Sequence, residues 1–157
     1  MYATRVSRRV RASRAAVYRT LLDPAAVAVW RVPDGMTAVV HAFDARADGA
    51  FRVSLTYDDP RGAGKSGAHT DTYHGRFTRL VPDELIVETI EFETDDEALR
   101  GAMTLTTSLV EEDGVTEVVM VHEGVPDVVP RADNELGTRM SLDKLARLVE
   151  DEVEDRR

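Results

Sequence analysis

The chain has 157 residues, 43% of them hydrophobic and 31% charged, which fits one globular domain spanning 1–157. It contains no cysteine, which excludes disulfides, thiolate metal sites, iron–sulfur clusters and a cysteine nucleophile. The net charge of −9 repels nucleic acid and anionic lipid, no apolar run approaches the roughly 20 residues that span a bilayer, and the N-terminus lacks an apolar signal core, so a cytoplasmic protein with neither nucleic-acid nor membrane partners is expected.

Residues 3–12 read as a strand, with Val6, Val10 and Ala12 on one face at period two. Arg8 falls on that same face and is expected at the sheet rim. The arginines clustered here (Arg5, Arg8, Arg9, Arg11 and Arg14) are read as a solvated strand face rather than a nucleic-acid arm. Ser13 can cap a short helix over 14–22, with Val17 and Leu21 inward. Asp23-Pro24 starts a second short helix that ends near Trp30, because Asp caps well and Pro suits the first helical position. Pro33-Asp34-Gly35 forms a turn.

Strands are predicted over 36–44, 50–57, 70–80, 85–93, 102–111 and 115–123, separated by the turn pairs Asp48-Gly49, Pro82-Asp83 and Asp113-Gly114. Short turns between consecutive strands imply an antiparallel meander. In 50–57, Phe51, Val53, Leu55 and Tyr57 face one way while Arg52, Ser54 and Thr56 face the other, so one face is buried and one is wet.

Residues 131–153 read as a long helix, with Asp133 or Asn134 as its N-cap. Leu142, Leu145, Ala146, Val149 and Val153 form one apolar stripe. Traced toward the N-terminus, that stripe meets Ser141, Thr138 and Asn134, with Gly137 at its edge. Small, partly polar groups over a sheet cannot reach native packing density, so a cavity is expected between the sheet and this half of the helix.

Several motif matches fail on context. Gly62-Ala63-Gly64-Lys65-Ser66-Gly67 fits a dinucleotide fingerprint and the tail of a phosphate loop. Yet Thr70-Asp71-Thr72-Tyr73 after it reads as strand, where both sites need a helix, and Asp59 stands where the phosphate loop needs its first glycine. His69, Asp71 and His74 are metal-ligand types, but they share a face only if Gly75 makes a bulge. No cofactor or metal is expected. Glu88 and Glu91 lie on opposite faces of their strand and cannot act as a carboxylate pair. His122 alternates with Met120 and Val118 on an apolar face, as a core histidine or a cavity group.

The order strand, two short helices, six strands, long helix carries a resemblance. Asp23-Pro24 with Trp30-Arg31-Val32-Pro33-Asp34-Gly35-Met36, then Asp48-Gly49-Ala50-Phe51-Arg52, Tyr73-His74-Gly75-Arg76-Phe77 and Leu80-Val81-Pro82-Asp83-Glu84, resemble successive segments of the Hsp90 ATPase activator homologue (AHSA1-like) family of the START-like, or SRPBCC, superfamily. Asp133-Asn134-Glu135-Leu136-Gly137 and Ser141-Leu142-Asp143-Lys144-Leu145 resemble the start of its closing helix. The chain departs from the family at Asp48, where relatives often carry glycine, and at Thr138, where many carry a bulky aromatic.

The resemblance implies an α+β helix-grip fold (START-like/Bet v 1-like), with about seven antiparallel strands around the long helix. It also implies a cavity for an apolar or amphipathic small molecule. Candidate wall residues are Trp30, Tyr57, Tyr73, His122, Asn134 and Thr138. The alternatives are a cyclase- or hydrolase-like enzyme using His122 and Tyr73, and a co-chaperone or stress-linked interaction module. In the second, Leu136 and Met140 would form a contact patch or homodimer face unless they pack on the first two helices. The name-giving activator has a further N-terminal domain for which this chain leaves no room, so Hsp90 itself is not the expected partner.

Overall fold

The computed structural model describes residues 1–59, 61 and 69–155. In chain order the elements are β1 (Tyr2–Val10), α1 (Arg14–Leu21), α2 (Pro24–Trp30), β2 (Met36–Phe43), β3 (Ala50–Tyr57), β4 (Thr70–Val81), β5 (Leu85–Phe92), a short 3-10 helix (Glu97–Leu99), β6 (Met103–Glu112), β7 (Val115–Val125) and α3 (Arg131–Asp155). The strands form one open antiparallel sheet of seven, in the order β1-β7-β6-β5-β4-β3-β2. The meander runs unbroken from β2 to β7, and β1 closes onto β7. Apart from the 3-10 helix, every element was legible from period and turn chemistry.

Local chemistry sets the boundaries. Ser13 Oγ accepts from the Ala16 amide at 3.2 Å, and Asp23 Oδ1 accepts from the Ala25 amide at 3.0 Å, so both predicted caps act as such. Asp48, Asp83 and Asp113 sit at positive φ (64°, 65° and 53°), the left-handed region a short carboxylate side chain tolerates in tight turns. Gly49 cannot be anything larger, since a Cβ there would stand 2.0 Å from the Asp44 carbonyl oxygen.

Two expectations need correction. Asp133 and Asn134 do not cap α3. The helix starts at Arg131, and the Pro130 carbonyl accepts from the Asp133 and Asn134 amides at 3.0 and 3.1 Å. Both residues therefore lie within the first turn, and Asn134 turns its side chain inward. The bulge in β4 falls between Phe77 and Arg79 rather than at Gly75. Asp71 and His74 consequently stay on opposite faces. His74 instead joins Glu91 (3.3 Å) and Glu93 (3.2 Å) on the outer face. Among the described residues no three His, Asp or Glu side chains are placed to hold a metal ion. The glycine-rich segment 62–67 lies outside the described residues, but Thr70 opens a strand, not the helix a phosphate site requires.

The buried apolar side chains of α3 run from its middle into its C-terminal half. Leu142, Leu145, Ala146 and Val149 are each 0% exposed, and they pack with Val10, Val17 and Val118, also 0% exposed. Full burial of such a side chain contributes roughly 1.5–3 kcal/mol. Surface ion pairs tie the helix to β1 and the segment after it: Arg8 reaches Asp143 at 2.9 Å, and Arg11 reaches Glu150 at 3.3 Å. Arg8 thus leaves the apolar face of β1 along the flank of α3, and its charge stays in solvent. The other end of α3 is held by Arg131, which donates to the Ala3 carbonyl at 2.6 Å and lies over the Tyr2 ring. No helix among the described residues is long and apolar enough to cross a membrane.

Candidate functional site

Toward the N-terminal half of α3 the packing opens into a cavity of about 600 Å³. The sheet supplies its apolar wall, through Leu55, Ile90, Phe92, Met103, Leu105 and Met120. These are inward-parity positions on β3, β5, β6 and β7, so strand alternation alone places them there. All six candidates from the sequence (Trp30, Tyr57, Tyr73, His122, Asn134 and Thr138) line this one space, as do Gly137 and Ser141. Leu136 and Met140 also border it. Leu136 remains 53% exposed at the mouth.

Two polar assemblies define the chemistry. One is an ordered chain from β1 to β7 through α3. Thr4 Oγ1 donates to Asn134 Oδ1 at 2.6 Å, and Asn134 Nδ2 stands 3.1 Å from His122 Nδ1. An amide nitrogen can only donate, so Nδ1 accepts and the imidazole proton resides on Nε2. Register makes this chain possible, because β1 pairs Thr4 directly opposite His122. Burial, with a smaller contribution from the nearby Arg31 charge, pushes the His122 pKa down from 6.5 to about 4. The ring is therefore neutral at physiological pH.

The other assembly is a buried ion pair that the sequence reading missed. Arg31, the residue that ends α2, donates from Nη1 to Glu88 Oε1 of β5 at 2.7 Å, with side chains only 16% and 5% exposed. Its guanidinium lies 5.4 Å from the Tyr73 ring centroid and 5.9 Å from that of Phe51. Burial, the largest single influence, would lower the Arg31 pKa, but Glu88 and Tyr73 together more than offset it, and the net shift is upward. Burial likewise raises the Tyr73 pKa, while Arg31 opposes that rise. One signal was available. Glu88 shares inward parity with Ile86 and Ile90, and a carboxylate on a core face requires a cation. Nothing in the spacing named Arg31 as that cation.

Three polar atoms of the wall have no hydrogen-bond partner among the described residues: Trp30 Nε1, Tyr73 Oη and His122 Nε2. At the rim, Lys144 donates to the Val32 carbonyl and pairs with Asp34 at 3.0 Å, pinning the segment after α2 against α3.

Residues 11–150 match the model of the activator of Hsp90 ATPase homolog 1-like family. The chain belongs to that family. A crystal structure of a Chromobacterium violaceum protein is 34% identical, superposes with a TM-score of 0.84, and matches over 95% of this chain and 97% of its own. A Rhodobacter sphaeroides protein shares the fold at 18% identity, with a TM-score of 0.77 over 94% and 91% of the two chains. An Aeromonas hydrophila AHSA1-like protein does so at 18% identity, with a TM-score of 0.68 over 94% and 92%. No curated protein matches the sequence. The helix-grip α+β architecture is thus that of the AHSA1-like neighbours. Membership supports a ligand-binding or helper-domain role in general terms and names no ligand.

Proposed function

We propose that this AHSA1-like protein binds a small apolar or amphipathic molecule in the cavity between the sheet and the N-terminal half of α3. The observation that carries this reading is the cavity itself: about 600 Å³ of space with an apolar wall and a few fixed polar groups. A pocket of this composition buries the body of a ligand and orients one end of it.

Binding fits the polar groups better than the cyclase- or hydrolase-like alternative. A general acid or base works best with a pKa near the operating pH. With a pKa near 4, the His122 imidazole stays neutral and has little tendency to take up a proton at physiological pH. Leu136 and Met140, which the interaction-module alternative offered as a contact patch, both border the cavity.

The test is native mass spectrometry of protein purified from its own host, with denaturing extraction of whatever is bound, alongside the Thr138→Trp variant. Thr138 borders the cavity and, among the described residues, its hydroxyl donates back to the Asn134 carbonyl of its own helix at 2.9 Å, so an indole there fills space without removing a tertiary support. A stoichiometric apolar molecule on the wild-type chain, lost from a folded Thr138→Trp variant, is the expected result. Undiminished occupancy of that variant would place the ligand elsewhere.

A further inference from the structure

The two edges of the sheet are protected unequally. β1 carries Arg5, Arg8 and Arg9, and its Ala3 and Arg9 carbonyls accept from Arg131 and Arg8 at 2.6 and 2.9 Å. β2, the opposite edge, pairs only with β3. Its 8 residues, Met36–Phe43, include no Asp, Glu, Lys, Arg or Pro, in a chain that is 31% charged. Charges and proline are the usual guards of a free edge, because an unguarded row of N–H and C=O groups templates further pairing.

Register shows which backbone groups are free. The Tyr57 amide donates to the His69 carbonyl at 2.9 Å, so the backbone of Tyr57 faces β4. Alternation then turns Thr56 and Ser54 toward β2, where they meet Thr37 and Val39. Ala38 and Val40, opposite Leu55 and Val53, therefore direct their N–H and C=O groups off the edge. Among the described residues nothing hydrogen-bonds to those groups. Between them, Val39 points to the outer face and is 53% exposed.

We infer that β2 pairs antiparallel with β2 of a second copy of this chain, about a twofold axis at Val39. That register sets Ala38 opposite the partner's Val40 and Val40 opposite the partner's Ala38, and each pair exchanges both of its hydrogen bonds. Val39 meets the partner's Val39 on the outer face, in a non-hydrogen-bonded pair where side chains approach most closely. Thr37 meets the partner's His41, and the bulge after Val40 bounds the ladder. Because the strand holds no charge, two chains of net charge −9 meet without like charges opposed inside the ladder. The flanking Asp34 and Asp44 are already paired, with Lys144 at 3.0 Å and Arg46 at 2.8 Å. A second copy fits this edge better than a foreign extended peptide. Its β2 is already ordered, it presents the same free groups at complementary positions, and one contact covers both edges.

The absence of cysteine makes the register directly testable. Sedimentation equilibrium of the full chain from roughly 1 to 100 µM should show a dimer. Val39→Lys sets two ammonium groups opposite each other, and Ala38→Pro removes an outward N–H without touching the ladder to β3. Each should weaken dimerisation at least about tenfold, with thermal unfolding showing a folded chain. Val39→Cys should form a disulfide-linked dimer on mild oxidation. Thr37→Cys, whose own counterpart lies farther along the partner strand, should not. Should either of the first two variants fail to fold, the cross-linking pair decides alone. A monomer throughout that range, with no cross-link through Val39→Cys, overturns the inference, whether or not an extended peptide binds the edge. So does a dimer that survives both Val39→Lys and Ala38→Pro, or one that cross-links equally through Thr37→Cys and Val39→Cys.

Discussion

In the C-terminal half of α3, Leu142, Leu145, Ala146 and Val149 are each 0% exposed, whereas Asn134, Gly137 and Thr138 in the N-terminal half border about 600 Å³ of open space. Both halves lie over the same sheet and continue the same helical stripe. The difference is side-chain volume and polarity. Where the stripe is Leu, Ala and Val, it reaches the sheet and excludes water. Where it is Asn, Gly and Thr, it stops short, and the void is edged by amides, hydroxyls and an imidazole. One half of the helix stabilises the fold, and the other half shapes a site that the first half makes affordable.

The sharpest way to test that division is to cut a side chain from the packed half. Leu145→Ala should cost about 2–5 kcal/mol, because the lost transfer energy adds to the cost of a new void. The measurement is chemical denaturation at constant m-value. A loss well under 1 kcal/mol would mean that the packed half is as adaptable as the open half.

The next largest effect is expected at the open half, and only in acid. His122 has its pKa lowered from 6.5 to about 4 by burial and by Arg31. The unfolded chain therefore takes up this proton first as pH falls. Stability is fully present above about pH 6.5, declines as pH falls toward 4, and loses nothing more from this group below that, up to about 3 kcal/mol in all. The pKa values of Glu93, through its Arg52 hydrogen bond, and Glu150 are lowered from 4.5, so their losses fall toward the acid end of that window. His122→Gln should flatten the stability profile between about pH 6.5 and 4.5. An unchanged slope there would show that the ring is solvated enough to titrate normally.

This division was partly visible before any coordinates. Trp30 and Tyr73 entered through the family resemblance, while period 3.6 identified both the Leu142–Val149 stripe and its small, polar continuation, and strand parity put Tyr57 and His122 on apolar faces. Such inferences work because each depends on a local repeat. The Arg31–Glu88 pair depends on none: its partners are 57 residues apart, and Arg31 follows the last turn of α2, where no period applies. Asn134 was misread for a related reason. Asn is a good N-cap in isolation, but Pro130 supplies the earlier start, and the Thr4–Asn134–His122 chain became apparent only once β1 was paired with β7. Local chemistry thus gave the wall of the site, while its polar end was set by contacts between distant segments.

The smallest effect concerns Gly137, and it asks whether the open half is open by selection or by accident. Glycine inside a helix costs up to about 1 kcal/mol relative to alanine, through its greater freedom in the unfolded chain. No packing requires it here, since an added Cβ would meet nothing within 4 Å. Gly137→Ala should therefore raise stability by about 0.5–1 kcal/mol in chemical denaturation. The informative quantity is the occupancy of the same variant by the co-purified molecule, read by native mass spectrometry. Gly137 borders the cavity, so a methyl group there takes space from the guest. A chain that grows more stable and binds more weakly would mean that the glycine trades helix stability for room. A chain that grows more stable and binds equally well would mean that the guest never approaches this edge, and that other residues of α3 bordering the cavity, such as Asn134 and Thr138, mark the helix side of the site.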